Sequence, residues 1–140
     1  MTSQEQIETL YTTSIDIDIP AALWLSANSR MHWRAKAEIT KQLRWLGQVS
    51  ARGAVGDHVR FKECEVVVSV AYPRRGRADP PNSSPTVKAI LDGFTDAGLW
   101  ADNDSEHIVL TSFQREPEPT GVKGLHRLYI TIQGTAETES

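Results

Sequence analysis

Cysteine is nearly absent from this chain, which contains only Cys64. A single cysteine excludes an internal disulfide framework and any cysteine-rich zinc module, and it suits a reducing compartment. Long apolar runs are missing as well. The longest, Val66 to Tyr72, is interrupted by Ser69, and it is far shorter than the ~18 residues of a membrane span. The first residues also lack the basic-then-apolar order of a secretory signal. We therefore expect a cytoplasmic protein with no membrane partner.

An excess of positive charge is also lacking. The chain has 15 Lys and Arg against 18 Asp and Glu, a formal net charge of −3. A protein that grips nucleic acid with its whole surface would be basic, so only a local basic patch is compatible with that role. The length of 140 residues, 39% of them hydrophobic, predicts one compact domain with its own core.

The hydrophobic pattern predicts six elements in the order β-α-β-α-β-β. Alternation indicates the strands, and a three-to-four-residue period indicates the helices. This order predicts an α/β (α+β) fold with one mixed four-stranded sheet and two helices on one face. The domain is expected over residues 14–133, between a flexible lead-in at 1–13 and a flexible acidic tail at 134–140. The predicted strands are 14–20, 64–72, 108–113 and 125–132, and the predicted helices are 34–52 and 84–97, with Ser84 as the N-cap of the second.

Residues 74–106 concentrate the charges that a phosphodiester-hydrolysing site needs. Lys88 and Asp92 share one face of the second helix, since residues i and i+4 lie on the same side. If the loop before this helix and the turn after it converge on that face, the carboxylates would cluster around a cation. Oxygen ligands without His or Cys favour Mg²⁺ or Mn²⁺, and a metal beside Lys and Arg favours phosphodiester hydrolysis. The arginines are Arg74, Arg75 and Arg77, and the carboxylates are Asp79, Asp92, Asp102 and Asp104.

A purely structural interpretation of the same residues stays open. Lys88 and Asp92 are also what an ordinary surface ion pair looks like, worth a few tenths of a kcal/mol. Asp102, Asn103 and Asp104 are residue types that turns favour for their own geometry. Spacing alone therefore does not establish a metal site.

Residues 77–104 resemble the RusA family of Holliday-junction resolvases, in particular the versions from actinobacterial phages and prophages. The family motif pairs a DP-x-N loop, here residues 79–82, with a PT-x-KA helix start, here residues 85–89. A DG…DAG helix end and an acidic turn follow. Residues 26–44 are similar to the family's Asn/Arg-containing loop and first helix. The resemblance spans residues 15–132, and its specificity lies in the motif.

The resemblance implies a homodimeric, Mg²⁺-dependent endonuclease that nicks two opposing strands of a four-way junction in DNA recombination and repair. Asp79 matches the first catalytic aspartate, Lys88 the active-site lysine, and Asp92 the aspartate one turn further along the helix. Asp102 matches the first residue of the acidic turn, and Asp104 is a possible substitute for the second. These four aspartates are the expected metal ligands. The expected DNA contacts are Arg74, Arg75, Arg77, Asn82, Arg34 and Lys41.

This chain departs from the family motif at two ligand positions. Pro81 replaces the second aspartate of the loop, and three further residues separate Asn82 from Lys88. Asn103 stands where the second acidic residue of the turn belongs. Each change removes a negative ligand, so a non-catalytic protein that binds branched DNA is the main alternative. A small structural phage protein is favoured only if the arginines and carboxylates lie on separate faces.

The other distinctive side chains are expected to be structural. Cys64 opens a strand and is expected to be a small buried hydrophobe. The four histidines show no shared metal spacing and are given no ligand role. The tryptophans are predicted to be core or dimer-contact residues and not platforms for bases; they are Trp24, Trp33, Trp45 and Trp100.

Overall fold

The computed structural model describes residues 8–56 and 59–138. It confirms the fold class and the element order, a mixed four-stranded sheet with two helices. Two short 3₁₀ turns, Ala21–Leu23 and Pro80–Ser83, precede the helices. The main elements are β1 (Glu8–Ile19), α1 (Trp33–Val55), β2 (Val59–Ala71), α2 (Ser84–Asp96), β3 (Ile108–Arg115) and β4 (His126–Thr138).

The strands lie in the order β1-β4-β2-β3. β4 pairs antiparallel with both β1 and β2, whereas β2 and β3 run parallel and are joined through α2. Because parallel strands end at the same edge of a sheet, the loops after β2 and β3 are neighbours. None of the helices in the described ranges is long and apolar enough to cross a membrane.

The core lies between the helices and one face of the sheet. Alternate residues of each long strand point inward, and the intervening residues stay polar, as in β1 where Asp16 and Asp18 are exposed. The helices pack against each other through glycines, since a Cβ on Gly93 would lie 2.1 Å from the carbonyl oxygen of Arg44. The inward residues of β1, β2 and β4 are Ile15, Ile17, Ile19, Val66, Val68, Val70, Leu128, Ile130 and Ile132.

Parts of both ends that were expected to be flexible are ordered strand. Within the predicted lead-in, residues 8–13 belong to β1, and within the predicted tail, residues 134–138 belong to β4. These segments pair with each other from Glu8 opposite Glu137 onward. Their sequences are mostly polar, so the backbone ladder extends the strands, with added burial of Ala136 and a ring contact between Tyr11 and Phe61. Residues 1–7 and 139–140 lie outside the described residues.

Two helix boundaries also differ from the prediction. Ser83 and not Ser84 occupies the N-cap of α2, and its hydroxyl donates to the carbonyl of Pro80 at 2.7 Å instead of capping the helix. The Pro80–Ser83 turn places the chain in helical geometry one residue earlier than the sequence indicated. At the other boundary, α1 continues through Gly53 and ends before Gly56, whose φ of 76° suits glycine.

The tryptophans do not all lie in the core. Trp100 is buried against Phe94, and Trp24 stacks on the His126 ring with centroids 3.7 Å apart. The core interpretation is wrong for Trp33 and Trp45, whose side chains are 67% and 63% exposed on α1. Only one stripe of this helix faces the sheet, and both residues lie off it. Cys64 is buried, as predicted.

Candidate functional site

A basic groove lies where β2 leaves the sheet. It has a volume of about 1070 Å³ and is formed by the loop after β2 and the loop between β3 and β4. The two loops are held together by backbone hydrogen bonds, including Thr120 N–H to the Tyr72 carbonyl at 2.8 Å. Glu118 pairs with Arg75 at 3.3 Å, and both side chains are strongly exposed, so the pair is weak. The basic residues lining the groove are Arg74, Arg75, Arg77 and Lys123.

Lys123 is a groove residue that the sequence did not reveal. Its loop follows β3, and it reaches the arginine loop only because β3 lies parallel to β2. Strand order is not readable from the sequence, so nothing in the sequence places this loop beside the arginines.

Asp79 lies close to the basic groove. It precedes the Pro80–Ser83 turn, and its carbonyl accepts the Asn82 N–H at 3.0 Å. A smaller cavity of about 150 Å³ beside it is lined by Asp79 and Asn82 and shares Tyr72 and Arg77 with the groove. Burial raises the pKa of the Tyr72 hydroxyl. Arg77 and Asp79 therefore line one cavity, whereas Asp92 lines a separate groove, so the alternative of a structural phage protein stays open.

Lys88 and Asp92 form the expected pair on α2. Lys88 Nζ lies 3.9 Å from Asp92 Oδ2, and the two side chains are 77% and 27% exposed. They line a groove of about 420 Å³ together with Lys36 and Thr40 of α1. The long separation and the exposure of Lys88 make this a weak ion pair, which leaves the ammonium accessible to a phosphate.

The turn after α2 is tied to Asp92 through Asn103. The Asn103 side-chain amide donates to Asp92 Oδ1 at 2.7 Å, and its backbone N–H donates to Asp102 Oδ1 at 2.8 Å. The expected approach of the turn to the helix therefore occurs, and Asn103 makes the link. An amide at position 103 binds the carboxylate that an aspartate there would repel.

Asp104 serves the turn itself. Its Oδ1 accepts the backbone N–H groups of Glu106 and His107 and lies 2.8 Å from His107 Nδ1. The hydrogen bond from His107 is the main reason that the pKa of Asp104 is lowered. Asp104 is thus already engaged in local structure. The spacing of the histidines in the sequence does not indicate that His107 is the partner of Asp104.

The carboxylates do not form a ready-made cage. Across residues 8–56 and 59–138, no three His, Cys, Asp or Glu side chains are grouped so that they could hold a metal ion. The four expected ligands are therefore not all together, although Asn103 links Asp92 to Asp102. The donors still suit Mg²⁺, which is commonly held through one or two carboxylates with waters and substrate phosphates. The available oxygen donors fit such an ion, without a third protein carboxylate.

The predicted DNA contacts on α1 have different surroundings. Arg34 lies over the Trp33 ring, 5.2 Å from its centroid, and Lys41 is exposed. Arg44 of the same helix is committed elsewhere, since it forms two hydrogen bonds with Asp96 of α2, at 2.6 and 2.8 Å. That contact lowers the pKa of Asp96 and removes both residues from the set available to a ligand.

No protein-family model matches the chain, and no curated protein matches it. The resemblance carried by residues 77–104 therefore stays a prediction. The observations that bear on the function are the basic groove, Asp79 and the Lys88–Asp92 pair on α2.

Proposed function

We propose that this protein is a metal-dependent endodeoxyribonuclease that resolves four-way junctions or other branched DNA by paired nicks. The observation that carries the proposal is the basic groove, which shares Tyr72 and Arg77 with the cavity that contains Asp79. The proposed setting is the cytosol of a bacterial host, in DNA recombination and repair, with the protein encoded by a phage or prophage. The resemblance of the motif to the RusA family supports the same activity.

The groove suits a phosphate backbone. Arg74, Arg75, Arg77 and Lys123 concentrate positive charge in a protein whose net charge is −3. Such a local concentration steers a polyanion to one face, and counterion release makes its binding depend steeply on salt. Asn82 lies at the end of the groove, where its side chain is available to a phosphate or sugar oxygen.

The residues beyond the groove suit hydrolysis of a phosphodiester. One or two of Asp79, Asp92 and Asp102 are the proposed holders of Mg²⁺ or Mn²⁺, with waters and the substrate phosphate as the other ligands, and Asp104 is the less available carboxylate. A divalent ion supplies positive charge at the phosphate and makes water more acidic. Asn103 holds the Asp92 carboxylate in place, and Lys88 offers an exposed ammonium to the negative charge that builds on the phosphate.

A homodimer fits this activity. A two-fold axis relates two identical sites, and the approximate two-fold symmetry of a four-way junction offers each site one of two opposed strands. Paired nicks then follow from the symmetry of the complex and need no second kind of active site.

The experiment is cleavage of a labelled synthetic four-way junction, with linear duplex as the DNA control, in Mg²⁺ and in EDTA. We expect paired, metal-dependent nicks from the wild type and a loss of at least about a hundredfold in Asp79→Asn. Asp16→Asn is the matched protein control, because Asp16 lies on the exposed face of β1. Equal cleavage by Asp79→Asn and the wild type would contradict the proposed site.

A second candidate is a non-catalytic protein that binds branched DNA. The observation in its favour is that Asn103 and not a carboxylate faces Asp92, while Asp104 is engaged with its own turn. Tight junction binding without cleavage in Mg²⁺ or Mn²⁺ would support this candidate and end the enzyme proposal.

A further inference from the structure

α1 begins with a tryptophan that faces solvent. Trp33 is the first residue of the helix, and 67% of it is exposed. Its ring is flanked by the His32 ring, 5.7 Å away between centroids, and by the guanidinium of Arg34 at 5.2 Å. His32 Nδ1 accepts the Arg34 N–H at 3.2 Å and caps the helix, which fixes the turn that carries the ring. The result is an ordered aromatic surface beside a positive charge.

Trp33 lies on the side of α1 that borders the groove containing Lys88. An α-helix turns about 100° per residue, so Trp33, Lys36 and Thr40 lie within about 60° of one another around α1. Lys36 and Thr40 line the Lys88 groove together with Ser84 and Pro85 at the start of α2. Trp33 therefore lies one turn beyond Lys36, about 4.5 Å further along the helix axis.

The loop before α1 is also attached to the candidate site. The backbone N–H of Ala27 donates to the carbonyl of Asn82 at 2.8 Å, which joins this loop to the Pro80–Ser83 turn. Two contacts thus hold the chain just before Trp33: the cap at His32 and the hydrogen bond of Ala27 to the Pro80–Ser83 turn.

We propose that Trp33 stacks on a nucleobase that is unstacked at the branch of the DNA substrate, next to Lys36 and Lys88. This inference rests on the proposed nuclease function and adds the residue that distinguishes branched from linear DNA. Every base presents a π-face, so an exposed indole binds an unstacked base without reading its sequence. Linear duplex keeps its bases stacked and offers no such partner.

Charge around the ring selects a nucleic acid as the occupant. Lys36 and Lys88 line the groove against a single carboxylate, Asp92, and Arg34 adds a third cation beside the ring. An aromatic surface with this much positive charge suits a base together with its flanking phosphates. An apolar protein partner would have to cover the three cations.

The chain offers a matched control on the same helix. Trp45 is 63% exposed and lies twelve residues beyond Trp33, which places it about 120° away around the helix axis. Trp45→Ala therefore removes an equally exposed indole that does not face the Lys88 groove. Trp33→Phe keeps an aromatic face at position 33, and Trp33→Ala removes it.

The test measures binding by fluorescence anisotropy in EDTA, with a labelled four-way junction and a linear duplex. We expect Trp33→Ala to bind the junction roughly tenfold more weakly and the duplex unchanged, with the same salt dependence, since stacking releases no counterion. Trp33→Phe should keep most of the affinity, and Trp45→Ala all of it. A 2-aminopurine placed at the branch should be quenched by the wild type and much less by Trp33→Ala.

The outcomes separate this inference from the proposed function. If the wild type prefers the junction but Trp33→Ala binds it equally well, the stacking role is wrong and the nuclease proposal stands. A parallel loss of duplex binding would also overturn the role, because it would make Trp33 a general contact. If the wild type shows no preference for branched DNA, both proposals fail. Urea unfolding of each variant shows whether a loss reflects misfolding.

Discussion

At the residue scale, His126 is the side chain with the least favourable surroundings. It is the first residue of β4, and its ring lies between Trp24, with centroids 3.7 Å apart, and Tyr72, at 5.3 Å. In the described part of the chain, its Nδ1 is the buried side-chain atom that has no hydrogen-bond partner. Burial therefore favours the neutral ring and lowers the pKa of His126 to about 4 from 6.5.

This lowered pKa predicts acid sensitivity. Between pH 6.5 and about 4 the unfolded chain binds a proton that folded His126 rejects, so stability is full above pH 6.5 and falls as the pH drops towards 4. We expect this one residue to remove about 1–2 kcal/mol, less than the whole shift implies because the ring is only partly buried. Urea unfolding at several pH values measures the loss. His126→Phe keeps the aromatic stack, and it should flatten the pH dependence in that window. An unchanged slope would show that another group is responsible.

Residue identities at the candidate site were predictable, but their partners were not. The sequence indicated Asp79, Lys88, Asp92 and Asp102 from charge and motif spacing, and the i,i+4 pair on α2 is present. The bond from Asn103 to Asp92 could not be read, because it depends on how the turn after α2 folds back. For the same reason, the sequence indicates only that Asn103 replaces a metal ligand, whereas the structure shows that Asn103 links the turn to Asp92.

At the element scale, the two helices pack at close range. Gly47 and Gly93 allow their backbones to touch: a Cβ on Gly47 would lie 2.3 Å from the Ile90 carbonyl oxygen. Real Cβ atoms do not approach backbone oxygens so closely. This contact fixes α1 against α2, and it therefore also sets the position of Lys36 beside Lys88.

Gly93→Ala is expected to destabilise the fold by about 2–3 kcal/mol, because its Cβ would force the helices apart at Arg44 and Gln48. Gly53→Ala is the matched control. Gly53 is also helical, but no described atom lies within 4 Å of an added Cβ, so this change should stabilise by about 0.5–1 kcal/mol. Urea unfolding curves measure both. Equal stabilities for the two variants would mean that the helices separate at little cost.

The same scale shows what hydrophobic periodicity can predict. It predicted every strand and helix, most clearly where a buried stripe is present, as in β1 with Ile15, Ile17 and Ile19. In β3 only Ile108 is buried. The predicted strands were too short at 8–13 and 134–138, where most side chains are polar and the backbones pair. Hydrophobic periodicity could not predict the strand order either. The order depends on which backbones pair, whereas periodicity reports only which residues are buried.

At the scale of the whole molecule, the distribution of charge matters more than its sum. Strand order brings the loop containing Lys123 next to the arginine loop, and the resulting groove is basic although the net charge is −3. The exposed face of β1 instead carries Asp16 and Asp18. A polyanion should therefore approach from one side, and the far end of the sheet should contribute little to binding.

Lys123→Ala tests this asymmetry. Loss of one phosphate contact should weaken junction binding about equally for all sequences and should reduce the slope of log affinity against log salt by about 1. Arg60→Ala is the matched control, because Arg60 is exposed near the start of β2, about 35 Å along the strand from the groove. Anisotropy titrations from low to physiological salt measure both variants. If Arg60→Ala changed the slope as much as Lys123→Ala, DNA would be held by charge spread over the surface, and the groove would lose its special role.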